Sequence, residues 1–296
     1  RTISSAASDV YKRQADFLRT LGFTPSRFDR DVWMRLRDEK DGYDYICTHV
    51  DDFNIVARTP SLWIDRISAV FLVKSHGPRN YYLGNDYTFH DGENMWTYSC
   101  KTYCTEAVAR VERMFGTLAK ESTPLPVDET HPELDDSPLL GLNDHRKFQM
   151  LMGMLQWMVT VGKPDLSATV ASLNRFGSCP RERHLQLAIR VFGYVKTVSH
   201  KQIAIDSRPM DFSRDTPNFT KLRPDFLQDY PNATEEIDPH FPQVFGPILQ
   251  TTLLVDSDHA HDKVTRKSLT GWVGFVGSTP TSWGSKRQGS IASSTY

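Results

Sequence analysis

Two β-prone segments, Tyr45–Val50 and Phe53–Ala57, stand on either side of an adjacent carboxylate pair, Asp51 and Asp52. Segments of this kind so close together fold back most readily as a hairpin, which puts both acids at the turn. Two neighbouring carboxylates repel each other. The arrangement becomes favourable when a hard divalent cation arrives to bridge them to substrate phosphates. Taken alone, an Asp-Asp step is also an ordinary turn, because Asp is a common turn residue. The rest of the sequence has to decide between the two readings.

Around the hairpin the pattern is α+β. Hydrophobic spacing predicts a helix ending near Gly22, strands at Val32–Arg37 and Tyr45–Ala57, and a helix over Leu62–Val73. Strands at Tyr81–Phe89 and Met95–Ser99 follow, then a helix at Thr105–Phe115 stopped by Gly116. Residues 121–144 carry seven acids and no Lys or Arg, interrupted by Pro124, Pro126, Pro132 and Pro138, which reads as a linker that covers surface or stays mobile. Within 145–198, Phe148, Leu151, Met152, Leu155, Met158 and Val159 form an apolar stripe at helical spacing, the mark of a core helix rather than a cofactor box. Leu166, Val170, Leu173 and Phe176 make a second helix after the turn at Gly162-Lys-Pro164, and Leu185, Ala188, Ile189, Phe192 and Val195 a third. Arg183 and Arg190 lie on the other face of that third helix, where they suit either phosphates or plain solvent. Residues 206–248 are rich in proline and mixed charge and suggest a loose connection. After about Gln250 an apolar strand delivers Asp256, with partner strands at Gly271–Val276 and Thr281–Trp283.

Composition narrows the class. The 296 residues contain 39% apolar side chains, and no apolar run reaches the ~18–20 residues that a spanning helix needs. The four cysteines are too few and scattered for a disulfide framework, and Cys100 and Cys104 are spaced like half a zinc site with no second half. A net charge of −1 is low for a nucleic-acid enzyme, but residues 181–201 hold five bases against one acid, so local sign would decide where a duplex sits.

Four blocks carry a resemblance. The hairpin is similar to the YxDD box of reverse transcriptases, in the Val-Asp-Asp form of copia-type (Ty1/copia) retrotransposons, with Leu21–Met34 ahead of it. Tyr81-Tyr-Leu-Gly-Asn85 resembles the family's primer-grip strand. Lys147–Trp157, Lys163-Pro-Asp-Leu-Ser167, Arg183-His184 and Val191–Lys196 resemble the block between polymerase and RNase H. Val255–Asp262, Thr265–Ser268, Thr270-Gly271 and Thr281–Gln288 resemble the opening RNase H strands.

The resemblance implies a stretch of a Pol polyprotein, an RNA-directed DNA polymerase with RNase H, working by two-metal nucleotidyl transfer. The implied fold is the late part of a polymerase palm, a helical thumb or connection, and incomplete RNase H-like strands. The implied segments are a non-family leader over 1–14 with weak order, a palm remnant over 15–120, a linker over 121–144, helical thumb over 145–205, a linker over 206–249 and RNase H-like strands over 250–296. Asp51 and Asp52 would be catalytic and, with Asp256, would hold Mg²⁺ or Mn²⁺. His49, Gly84, Arg183 and Arg190 would meet nucleic acid, and Lys74 stands where some polymerases place a proton donor. Asp258 and Asp262 match motif positions but read as structural or solvated. Implied partners are an RNA template, a DNA primer, deoxynucleoside triphosphates and the rest of Pol, with no membrane, in a cytoplasmic virus-like particle or the nucleus. Two departures stand out. His49 replaces the Tyr of the box, and the matching stretch lacks the upstream palm Asp and the later RNase H carboxylates. The isolated chain is therefore expected to be inactive, and a non-catalytic nucleic-acid-binding remnant is the alternative.

Overall fold

The computed structural model describes residues 5–50, 52–73, 77, 80–126, 131–211, 240–247 and 249–291. Asp51 and Lys74, and most of the loose connection expected over 206–248, lie outside them. The chain divides into two compact units, Arg1–Arg79 with Phe212–Ile248, and Asn80–Asp211 with Leu249–Tyr296.

In the first unit, helix α1 (Ser5–Thr20) leads through Gly22, at φ +84°, into strands β1 (Thr24–Pro25), β2 (Val32–Leu36), β3 (Tyr43–His49) and β4 (Asp52–Val56), followed by helix α2 (Pro60–Ser68). The strands form one antiparallel sheet in sequence order. Strict alternation along β3 buries Asp44, Ile46 and Thr48 on one face, the period-two pattern of a half-buried strand. Leu18 of α1, Phe23, Trp33, Ile46, and Trp63 and Ile67 of α2 close the core, each side chain contributing roughly 1.5–3 kcal/mol by its burial. Helix α1 begins at Ser5, inside the leader set apart over 1–14. The helix expected over Leu62–Val73 ends at Ser68, where the Val70 N–H takes the tighter i−3 bond to the Ile67 carbonyl that closes a last turn.

In the second unit, β5 (Tyr81–Tyr82), β6 (Asn85–His90) and β7 (Met95–Ser99) precede α3 (Lys101–Phe115), α4 (Leu142–Val161), α5 (Ser167–Asn174) and α6 (Glu182–Val198). Strand β8 (Ile203–Ile205) then returns to the edge of β7, giving the antiparallel order β5-β6-β7-β8. The single strand expected over Tyr81–Phe89 is in fact a hairpin. Leu83 (φ 50°) and Gly84 (φ 85°) form its two-residue turn, closed by the pair Tyr82↔Asn85.

Helix α4 buries a broad face and leaves Gln149, Gly153, Gln156 and Thr160 exposed on the other. Beyond the expected stripe it also buries Met154 and Val161, because α3, α5 and α6 all pack against it. Helix α6 comes unusually close to the chain after α3: a Cβ on Gly193 would stand 2.5 Å from the Ala119 carbonyl oxygen. Only glycine fits that approach.

The last strands, β9 (Thr251–Ser257), β10 (Leu269–Val276) and β11 (Thr279–Arg287), make an antiparallel sheet with β10 in the middle. They are part of the helical unit rather than a body of their own. The Trp283 indole N–H on β11 donates to the Val159 carbonyl of α4 at 2.6 Å, and Arg175, just after α5, pairs with Asp262. The observed class is α+β with antiparallel sheets, as expected, but the division falls after Arg79 and so cuts the stretch 15–120 that was read as one segment.

Candidate functional site

The hairpin forms, but its turn lies one residue earlier than expected, so that Asp52 opens β4 instead of sitting in the turn beside Asp51. Tyr45 pairs with Val56, Cys47 with Asn54, and His49 with Asp52, leaving residues 50 and 51 as a two-residue turn. Val50 has φ 55°, a region that β-branched residues strongly avoid. Its backbone is held on both sides: the Val50 N–H donates to the Tyr11 hydroxyl at 3.1 Å, and the Gln14 side-chain amide donates to the Val50 carbonyl at 3.3 Å. Strain of this kind, about 1–3 kcal/mol, persists only where the surroundings over-determine it. His49 and Asp52 are both exposed and, as a directly opposed pair, share one face of the hairpin.

The remaining candidate residues lie in the second unit. Gly84 takes the second place in the β5–β6 turn, which needs a positive φ, and a Cβ there would stand 3.4 Å from the Trp157 indole nitrogen. The glycine is thus accounted for by backbone conformation, with the exposed Trp157 beside it.

Arg183 and Arg190 sit on α6, but not as an open basic stripe. The Arg183 guanidinium donates to Gln186 Oε1 at 2.7 Å, while its backbone N–H donates to Ser137 Oγ at 3.0 Å. Arg190 pairs with Glu121 at 2.5 Å. Farther along the helix Lys196 pairs with Glu112 at 2.7 Å, and the Glu112 carboxyl is held below its usual range, first by that bond and then by the Leu118 N–H. The acidic segment therefore does cover surface, and part of what it covers is this helix. Glu133 is nearly buried, where its carboxylate takes the Lys263 N–H at 2.9 Å and lies 3.1 Å from the His131 Nδ1. At the start of α6, His184 Nδ1 accepts the Arg181 N–H at 3.1 Å, so its Nε2 donates to the Pro132 carbonyl at 2.8 Å.

Asp256 lies on β9, an edge strand, opposite Gly271, with its carboxylate exposed and accepting the Ser257 N–H at 2.8 Å. Asp258 accepts the Leu269 N–H at 2.8 Å. Asp262 is buried. Burial pushes its carboxyl up, but the Thr265 backbone N–H, Arg175 and Arg287 outweigh that and hold it at about 2. Asp258 and Asp262 are accordingly structural. A pair that sequence reading missed is Tyr194 with Asp165: burial first, then the 2.8 Å bond to the carboxylate, pushes the phenol up to about 12.

Among the described residues no group of three or more His, Cys, Asp or Glu could hold a metal ion. At the hairpin the donor chemistry suits a hard cation, since Asp52 is exposed with no ion pair among the described residues and Asp51 is its chain neighbour. At Asp256 it does not, because both neighbouring acids of the motif are already engaged.

The chain is 27% identical over 290 residues to the Retrovirus-related Pol polyprotein from transposon RE1 of Arabidopsis thaliana, a match covering 96% of this chain and 16% of that protein. The corresponding polyprotein from transposon RE2 of the same plant is 25% identical over 96% of this chain and 17% of its own length. This chain is a homologue of copia-type retrotransposon Pol polyproteins. A transposon Ty5-1 protein of Saccharomyces cerevisiae is 31% identical over 189 residues, covering 61% of this chain and 57% of that protein. The chain thus spans about a sixth of the length of the two plant Pol polyproteins. No family model matches it, and no solved structure does.

Proposed function

We propose that this Pol homologue carries the YxDD hairpin and following segments of an RNA-directed DNA polymerase, with the hairpin tip as the nucleotidyl-transfer site. The observation that carries the reading is the hairpin itself: a two-residue turn closed by His49 and Asp52, with a strained Val50, presenting the Asp52 carboxylate to solvent next in sequence to a second aspartate. Asp51 and Asp52 would hold Mg²⁺ or Mn²⁺, which when bound supplies charge neutralisation for the primer hydroxyl and the leaving pyrophosphate. The chain's own contribution is positional. The β3–β4 ladder fixes the direction of Asp52, and the clamped Val50 fixes the turn. His49, on the same face, orients a nucleic acid strand end by hydrogen bonding, in the place where the box carries a tyrosine.

Primer and template would engage the second unit near Gly84, and Arg183 and Arg190 would meet phosphates only on exchanging their internal partners. We make no use of Asp256 as a ligand, because its neighbours do not complete a site.

The test is Mg²⁺-dependent extension of a DNA primer on an RNA template by a Pol polyprotein carrying this sequence in the matched stretch. Extension that Asp52→Asn abolishes supports the reading, and extension untouched by that substitution sinks it. One observation favours a second reading, a nucleic-acid-binding chain without polymerase activity: imidazole at position 49 cannot reproduce the stacking and reach of a phenol. Salt-dependent binding to an RNA–DNA duplex with no extension would select it.

A further inference from the structure

Cys100 and Cys104 stand apart from everything the proposed activity uses. Cys100 is the residue immediately before α3 and Cys104 lies one turn in, its N–H bonded to the Cys100 carbonyl at 2.9 Å. Their sulfurs are 3.5 Å apart, and both side chains are fully buried among the residues of the helical core. Lys163, itself 2% exposed, sends its ammonium to the Val198 carbonyl at 2.8 Å, and its charge favours the thiolate at both sulfurs. The Asp165 charge opposes it at both sulfurs.

We infer that Cys100 and Cys104 form an oxidative modification site, a buried dithiol that a peroxide converts to an intrachain disulfide. Three observations support it. The sulfur separation has to close by only about 1.5 Å to reach bonding distance, since a disulfide measures about 2.05 Å. The two sites are differentiated: the hydrogen bond from Cys104 lowers the Cys100 thiol below its usual range, and the same bond raises Cys104, so Cys100 is the nucleophile and Cys104 the resolving thiol. Cys100 also stands at the start of a helix, where the backbone dipoles favour negative charge, one of the first N–H groups, that of Thr102, being already taken by the Asp86 carboxylate at 2.8 Å. The other thiols lack this arrangement, with Cys179 exposed and Cys47 in the other unit.

The chemistry balances without a cofactor. The Cys100 thiolate attacks one peroxide oxygen, the O–O bond breaks, and the hydroxide released takes a proton to become water. Cys104 then attacks the sulfenic sulfur of Cys100, forming the S–S bond and expelling the second oxygen as water once its proton is delivered. Two thiols lose two electrons and one hydrogen peroxide becomes two waters. Because the pair is buried, the peroxide reaches it through local opening at the β7–α3 junction. Oxidation is therefore slow compared with that of exposed Cys179.

Lys101 separates the two cysteines, so trypsin places them in different peptides, 80–101 and 102–110. The full chain is treated with hydrogen peroxide, blocked with N-ethylmaleimide under denaturing conditions, and digested without reduction. We expect these two peptides to be recovered linked, with the loss of two hydrogens, and to separate on reduction. In Cys104→Ser, Cys100 should instead be trapped as a sulfenic acid by a 1,3-dione. Recovery of both peptides singly and maleimide-blocked, at a peroxide dose that has fully oxidised Cys179, overturns the proposal. The wild-type map decides the matter even if the variant does not fold.

Discussion

Arg190 on α6 and Glu121, the first acid of the segment that follows α3, meet at 2.5 Å. In the sequence these two belong to an acidic run and a basic helix with opposite apparent roles. In the structure they neutralise each other. If α6 is to meet phosphates, this pair has to open first.

Glu121→Gln releases that guanidinium. On the proposed function, binding to an RNA–DNA duplex should become more salt-dependent, the log–log slope steepening by about one. Stability should change by less than about 1 kcal/mol, because the pair is partly exposed. A slope equal to that of the parent in filter-binding titrations would mean Arg190 does not reach nucleic acid.

Gly193→Ala puts a methyl group 2.5 Å from the Ala119 carbonyl, a backbone atom that cannot simply swing away. Urea unfolding should report a loss of about 1–3 kcal/mol. An unchanged midpoint would show that the segment after α3 shifts freely over α6.

Asp262 makes the second unit sensitive to acid. Its carboxyl is at about 2 when folded, against 3.8 for an ordinary aspartate, so the folded state favours the ionised form. The stabilisation is present above pH 3.8 and disappears as the pH falls towards 2, a change of about 2 kcal/mol. Asp262→Ala leaves Arg175 and Arg287 without their shared partner and should cost about 3 kcal/mol at pH 7. In that variant the acid-induced loss between these pH values should shrink.

Trp63→Phe removes the donor that meets the buried carboxylate of Asp44 at 2.9 Å, while the Arg58 N–H at 3.4 Å stays in place. We expect a loss of about 1–3 kcal/mol, and a double-mutant cycle with Asp44→Ala that is less than additive. Strict additivity would show that the bond contributes nothing to the first unit.

Val50→Gly relieves the positive φ at the hairpin turn but adds freedom to the unfolded chain. The net result should be a gain of about 0.5–1 kcal/mol, the difference between strain and glycine entropy. If stability falls instead, the valine side chain is packed more usefully than its exposure suggests.

Local pattern made much of this molecule readable in advance. Alternation gave β2, β3 and β4, apolar spacing gave the cores of α4, α5 and α6, and Gly116 marked the end of α3, because each of these features depends on residues within a turn or two of one another. The adjacent acids placed the hairpin tip by the same local logic, with Asp52 closing the turn opposite His49. What the sequence did not disclose depends on residues far apart in the chain. β8 is three residues long and exists because it completes the edge of β7. Tyr81–Phe89 reads as one strand until Leu83 and Gly84 both take positive φ. Glu121 folds back onto Arg190, and Asp262 draws in Arg175 from 87 residues away. Pattern within a short window sets where helices and strands form. Which charges remain free for a ligand is set by long-range pairing, and only the tertiary structure decides that.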